Sequence, residues 1–300
     1  MIDIMEGYKS GFAAVIGRSN VGKSTIMNTL IGEKVAIVSD KPQTTRNRIH
    51  CVLTRKNYQI IFIDTPGIHR PKTRLGDYMV KTASSVFEEV DVIIFVVDVA
   101  DGIGSGDRRI AQTLKNIKTP IILALNKVDI ADEASVEKAK DEFANMKIAK
   151  TILPISALKG DNLSKLESVL VDYMPDGPQY YPTDMLTDQP ERFVISELIR
   201  EKTLTHLYEE IPHGIGVEIV SMIEREDRPL MDIRATIYCE KKSHKGIIIG
   251  RQGKMLQKIG KEARADIERL LGIQVYLELW VKVKEDWRDS QNMLRELGYN

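Results

Sequence analysis

The sequence predicts two folded units in series, a doubly wound α/β domain with a mixed six-stranded sheet followed by a smaller α+β domain. Three observations predict this. Apolar strand-like runs alternate with helical patterns as far as residue 173. Residues 174–190, MPDGPQYYPTDMLTDQP, then hold four of the eleven prolines and no apolar periodicity, the composition of a linker. Beyond them the element order changes and no repeat of the first half is visible. The expected boundaries are therefore 1–173, 174–190 and 191–300, and 300 residues is about twice the length of an ordinary domain.

In the first unit the expected strands are FAAVIG (12–17), HCVLT (50–54), YQIIFID (58–64), DVIIFVVD (91–98), PIILALN (120–126) and KTILPIS (150–156). Several are apolar at every position, as strands buried on both faces are. Only Arg55, Lys56 and Asn57 separate the second from the third, too few for a crossover, so these two should form an antiparallel hairpin inside an otherwise parallel sheet. In the second unit a helix over 192–206 should lead to strands at 216–224 and 232–240. A short helix, a glycine-bounded turn, a long helix over 254–271, a strand at 275–283 and a terminal helix should follow.

Composition excludes several classes. With 43% apolar and 29% charged residues, the chain is neither disordered nor low-complexity. No apolar run reaches the 18 or so residues of a membrane span, and the opening MIDIMEGYKSGF lacks the basic and apolar regions of a signal peptide, so a secreted or membrane-integral protein is not expected. The two cysteines, Cys51 and Cys239, and the five histidines have no metal-ligand spacing; free thiols and no zinc are expected. The formal net charge is zero, yet Lys241 to Arg264 carries eight basic residues against the single acidic Glu262.

Gly17-Arg18-Ser19-Asn20-Val21-Gly22-Lys23-Ser24 matches G-x-x-x-x-G-K-[ST] between a strand and a helical run, the context that motif requires. In such a loop successive backbone N–H groups point inward at phosphates, and the helix N-terminus adds its dipole. Lys23 would reach the β/γ oxygens and Ser24 would give a hydroxyl to magnesium. Asn126-Lys127-Val128-Asp129 ends a later strand, where doubly wound folds bind ligands. The Asp129 carboxylate can accept from both guanine N1–H and N2–H2, a pairing adenine cannot offer. Asn126 would brace the loop, the Lys127 stem would cover the ring, and a backbone N–H of the Ser156-Ala157-Leu158 loop would read guanine O6. Asp64-Thr65-Pro66-Gly67 closes another strand, placing Asp64 to hold magnesium through water and the Gly67 N–H to sense the γ-phosphate.

These residues make the first 173 positions resemble the translation-factor-related small GTPases. Asn20 together with Thr44-Thr45-Arg46 resembles their potassium-activated branch. The resemblance implies that Thr45, with Thr44 as the alternative, completes the magnesium site when GTP is bound. It also implies that a potassium ion held partly by Asn20 takes the charge-neutralising place of an arginine finger; the other reading of Asn20 is that it only shapes the loop. Ile68 follows Gly67 where Ras-like enzymes carry the water-orienting glutamine, so backbone or solvent must hold the attacking water and slow intrinsic hydrolysis is expected. Lys34 to Asn47 should be mobile without the γ-phosphate.

Within the basic run, Gly250-Arg251-Gln252-Gly253 lies between an apolar stretch and a long helix. A G-x-x-G turn between two helices, in this element order, resembles the type II KH fold, whose turn clamps about four nucleotides of RNA backbone. Arg251, Lys254 and Lys258 are the first candidates for phosphate contact, with Lys245, Gly250, Gln252 and Gly253 completing the turn's surroundings. Ile247 to Ile249, Leu256 and Ile259 would pack in the core or line the base groove.

A potassium-type GTPase joined to one C-terminal type II KH domain is the arrangement of a family of bacterial ribosome-assembly GTPases. That resemblance implies binding near the 3′ end of small-subunit ribosomal RNA, assistance in assembling the small ribosomal subunit, and a cytoplasmic location partly peripheral on the inner membrane. A monomer is expected. No lipidation motif or strongly basic amphipathic helix itself predicts membrane binding. The competing class is a GTPase whose main partner is a protein or membrane, with the KH-like unit as a docking module; the basic run favours RNA.

Overall fold

The structure, a computed structural model, describes residues 7–38, 49–64, 87, 89–208 and 211–299. Described residues up to Asp188 form one unit and those from Gln189 onward another. Among them, no helix is long and apolar enough to cross a membrane.

The first unit is built on β1 (Lys9–Ile16), β2 (Ile49–Thr54), β3 (Tyr58–Asp64), β4 (Val92–Asp98), β5 (Ile121–Asn126) and β6 (Thr151–Pro154), in the spatial order β2-β3-β1-β4-β5-β6. All neighbours are parallel except β2 and β3, which pair antiparallel across the short turn where the Arg55 N–H donates to the Tyr58 carbonyl. Every residue of β4 and β5 is buried, which explains runs as apolar as VIIFVVD and IILALN. Helices α1 (Lys23–Ile31), α2 (Ser105–Leu114), α3 (Glu133–Met146) and α4 (Leu163–Tyr173) are the described helices of this unit. In one core Phe95 of β4 meets Phe143 of α3 edge-on, ring centroids 5.7 Å apart. Because β1 lies between β3 and β4, the strand order reverses there, and the crevice beyond the carboxyl ends of the strands is where such sheets take ligands.

Residues 174–188, within the segment 174–190 expected to be a linker, pack onto this unit. The buried Gln59 side chain accepts from the Tyr180 and Tyr181 N–H groups and donates to the Tyr181 carbonyl. The buried Ser10 hydroxyl donates to the Pro178 carbonyl at 2.6 Å, and Val52 N–H to the Leu186 carbonyl at 2.8 Å. The prolines remove donors, but these carbonyls still find partners, so the segment is a strap on the first unit, which ends at Asp188.

The second unit has α5 (Glu191–Thr205), β7 (Gly216–Glu224), β8 (Leu230–Cys239), α6 (Lys242–Ile249), α7 (Lys254–Leu271), β9 (Gln274–Val283) and α8 (Gln291–Glu296). β7 and β8 are antiparallel with a bulge between Ile219 and Ser221, and β9 lies parallel to β8 at the sheet edge. In α7, Ile259, Ala263 and Ile267 recur every fourth residue and are buried against Ile237 and Val281. That leaves Lys254, Lys258, Lys261 and Arg264 exposed on the other side.

Candidate nucleotide site and nucleic-acid interface

The loop after β1 turns through conformations that its residue types permit. Gly17 has φ 154°, and a Cβ there would lie 2.5 Å from the Val96 carbonyl oxygen; Gly22 has φ 98°, and a Cβ there would lie 2.3 Å from Asn126 Nδ2. Asn20 takes a left-handed φ of 66° at the exposed rim, a conformation asparagine tolerates better than most residues. Lys23 is buried, and its ammonium donates to the carbonyls of Arg18 (2.8 Å) and Gly17 (3.3 Å). Burial lowers its pKa to about 8, against the opposing pull of Asp64. Ser24 Oγ donates to Asp64 Oδ2 at 3.2 Å, bringing a hydroxyl and a carboxylate together where α1 begins and β3 ends.

At the other end, the Asn126 carboxamide joins three loops. Its Nδ2 donates to the Val21 carbonyl at 2.7 Å and its Oδ1 accepts from the Ala157 N–H at 2.9 Å. The Ala157 carbonyl in turn accepts from Thr29 Oγ1 of α1 at 2.9 Å. The Ala157 N–H, a candidate reader of guanine O6, is thus directed to Asn126. Ser156 is buried, and its Oγ accepts from the Lys159 N–H. Lys127 has φ 69° and its ammonium is paired with the Asp98 carboxylate, while Asp129 is exposed.

The Arg18 side chain is engaged away from the loop it belongs to, 2.8 Å from the buried Asp107 and 3.3 Å from Asp101, so only its backbone is left to the loop. Asp98 and Asp107 were not candidates from sequence. The only available signal was the acidic DVADGIGSGD stretch after β4, whose partners Lys127 and Arg18 lie far away in the chain. Thr44, Thr45, Thr65, Gly67 and Ile68 lie outside the described residues.

In the second unit, Gly250, Gln252 and Gly253 all have positive φ (73°, 52° and 77°), which lets the chain reverse between α6 and α7. The glycines are not equivalent. A Cβ on Gly250 would meet the Met255 Cβ at 2.7 Å, whereas a Cβ on Gly253 would meet nothing within 4 Å. From this turn a groove of about 950 Å³ runs between α7 and β9. Gln252, Gly253, Lys254 and Lys258 line it, with Lys261 and Arg264 further along the helix. Leu256 lines it too, while Ile259 belongs to the core. Arg251 is exposed, but neither it nor Lys245 and Gly250 is part of the groove wall.

A nucleotide-binding P-loop domain with a guanine-type N-K-x-D loop, followed by a KH-type nucleic-acid-binding domain, is the class that this fold and these two sites define. Residues 12–127 match the model of the 50S ribosome-binding GTPase family and residues 210–288 that of the KH domain. The chain is 58% identical to GTPase Era of Alkaliphilus oremlandii (strain OhILAs), over 98% of this chain and 99% of that protein. It is 55% identical to GTPase Era of Clostridioides difficile (strain 630), with the same coverage. Among solved structures it resembles Era in complex with MgGDPNP and nucleotides 1506–1542 of 16S ribosomal RNA: TM-score 0.93, 41% identity, 97% of this chain and 99% of that one. Aquifex aeolicus Era bound to GDP·AlF4−, in a Tyr-to-Ala variant, matches with TM-score 0.91, also at 41% identity and the same coverage. The chain belongs to the GTPase Era family.

Proposed function

We propose that this protein is a GTP-hydrolysing switch that binds small-subunit ribosomal RNA near its 3′ end through the groove of its second unit and assists small-subunit assembly. The observation that carries the reading is the near full-length match to an Era chain crystallised with both a GTP analogue and a 16S fragment, in a chain that has both the phosphate loop and the basic groove.

For the nucleotide, Gly17 to Ser24 cradle the phosphates through backbone N–H groups and Lys23 brings its ammonium. Asp129 reads the guanine N1–H and N2–H2 edge, the Lys127 stem covers the ring and Asn126 holds the base loop to the P-loop. O6 is read by a backbone N–H of the Ser156-Ala157-Leu158 loop; for the Ala157 N–H to do so it must exchange its Asn126 bond for the base. An oxygen-only set of the Ser24 hydroxyl 3.2 Å from the Asp64 carboxylate fits a hard divalent cation, and Thr45 would complete it. Bound Mg2+ would neutralise charge on the β- and γ-phosphate oxygens. Asn20, exposed with a left-handed φ of 66°, would in this reading hold a potassium ion against the phosphates, and the Gly67 N–H would sense the γ-phosphate. With Ile68 in the glutamine position, the intrinsic rate should be slow.

For the RNA, Gly253, Gln252, Lys254 and Lys258 meet the backbone in the groove, with Gly250, Arg251 and Lys245 shaping or flanking the turn. Binding of a 16S 3′-end RNA, measured by filter retention over a salt series, tests the reading. Affinity should fall steeply with salt as phosphate contacts are lost, and no retention even at low salt would overturn it. Monomeric state, a cytoplasmic location and peripheral contact with the inner membrane remain part of the proposal through the family resemblance alone.

A further inference from the structure

The phosphate loop is held from outside at two places. One is the Val21 carbonyl on Asn126. The other is the Arg18 side chain, which leaves the loop and runs to the start of α2. There its Nε lies 2.8 Å from a carboxylate oxygen of Asp107, a residue with no exposed surface. Nη1 lies 3.3 Å from the Asp101 carboxylate, and Nη2 donates to the Gly102 carbonyl at 3.3 Å. Three nitrogens of one planar fork reach three partners, which a lysine could not do. The slot has room for this side chain because it is lined by glycines. A Cβ on Gly106 would lie 2.7 Å from Arg18 Cδ, and one on Gly104 would lie 3.4 Å from Nη1. Asp107 is fixed in turn, since the oxygen that meets Arg18 also accepts from the Gly104 N–H at 2.8 Å. Its other oxygen is buried with no hydrogen-bond partner among the described residues, so Arg18 and that N–H are what offset the carboxylate's burial. Asp98 pins the connection itself, accepting from the Ala100 and Asp101 N–H groups at 3.0 and 3.1 Å.

We propose that Arg18 is a positioning residue, whose side chain, anchored in this slot, keeps the first half of the phosphate loop in its phosphate-accepting shape before nucleotide arrives. While the side chain points outward, the Arg18 carbonyl points inward and accepts from the Lys23 ammonium at 2.8 Å. Only Ser19 and Asn20 separate Arg18 from the second anchor at Val21. Without the Arg18 anchor the loop samples other shapes, and apparent affinity falls with the fraction that remains competent. The loss falls on association, because bound phosphates restore the loop through their own contacts. The proposal rests on the nucleotide reading above.

Stopped-flow binding of a fluorescent GDP to the full chain, together with hydrolysis at saturating GTP, separates these steps. Arg18→Ala should slow association about tenfold and leave dissociation and kcat within about twofold. Gly106→Ala, a change that in itself favours the helix, should slow association in the same way by pushing Arg18 out of the slot. In an Arg18→Ala background it should cost nothing further. Gly106→Ala decides the matter alone if Arg18→Ala does not fold. Wild-type association in either single variant would overturn the anchor. So would a loss confined to dissociation or kcat, or a Gly106→Ala penalty that survives without Arg18. If Lys23→Ala binds nucleotide as tightly as wild type, the phosphate-loop reading itself fails.

Discussion

Asn126 Nδ2 donates to the Val21 carbonyl across 2.7 Å, joining the base-reading loop to the phosphate loop over 105 positions of sequence. The same nitrogen occupies the space a Cβ on Gly22 would need. The two ends of the nucleotide site are therefore one hydrogen-bonded piece. Asn126→Ala would leave the Val21 carbonyl and the Ala157 N–H without this partner in a buried setting, a cost of about 2–4 kcal/mol, or roughly 30- to 1,000-fold in affinity. GTP and GDP should weaken alike, since in the proposed site both would span the two loops. Equilibrium titration with labelled nucleotides checks this, and loss of GTP affinity alone would contradict it.

On the proposed reading, base choice rests on Asp129. Asp129→Asn exchanges an acceptor for an amide donor, so GTP should weaken by several kcal/mol while xanthosine triphosphate, whose C2 substituent suits a donor, becomes preferred. Competition binding with the two nucleotides measures the switch, and unchanged GTP affinity would remove Asp129 from this role.

Lys23 gives the site a pH dependence. Burial lowers its pKa to about 8 without phosphate, and an arriving phosphate favours the ammonium. Below pH 8 the group is already protonated and contributes no slope. Above it, nucleotide binding must take up a proton, so affinity should drop by up to about tenfold per unit between pH 8 and 10. Because the folded pKa lies below the unfolded value, stability without nucleotide should rise with pH over the same window. Calorimetry at pH 9 in buffers of different ionisation enthalpy should record close to one proton taken up; no uptake at pH 9 would mean that Lys23 remains charged in the nucleotide-free site.

Hydrolysis should be faster in potassium than in sodium at equal ionic strength, and Asn20→Ala should erase the difference with nucleotide affinity nearly intact. A turnover rate indifferent to the monovalent ion in wild type would return Asn20 to shaping the loop.

How much of this was legible depended on how local the cause is. The apolar runs of β3, β4 and β5 were readable to within a residue of their positions, and the β2–β3 hairpin followed from the three residues Arg55 to Asn57. β1 starts at Lys9, three residues before its apolar run, because Lys9 and Ser10 pair with Tyr58 and Gln59, which nothing in the local sequence indicates. The strap was read as a linker for the same reason: its anchors, Ser10 and Gln59, lie more than 100 residues upstream. In the site, the P-loop was legible since its glycines, Lys23 and Ser24 are contiguous. The ion pairs Arg18–Asp107 and Lys127–Asp98 were not, because they form only when the β4–α2 connection folds against both loops. In the second unit the G-x-x-G turn and the lysine stripe were visible, but β9 as the facing wall required the tertiary fold.

The central claim, that one chain couples a guanine-nucleotide site to an RNA groove, is tested most directly by RNA affinity at fixed salt in two nucleotide states, for wild type and Gly253→Asp. A Cβ at position 253 has open space, so the substitution adds modest backbone strain at φ 77° and, on the proposed groove reading, a negative charge where a phosphate approaches. The variant should therefore lose RNA binding while keeping GTP affinity and basal hydrolysis. Wild type should bind the 16S 3′-end RNA with different affinities in the GDPNP and GDP states, and the same factor must separate the nucleotide affinities measured with and without RNA. Equal RNA affinity in both states would contradict the coupling, and unimpaired RNA binding by Gly253→Asp would contradict the groove.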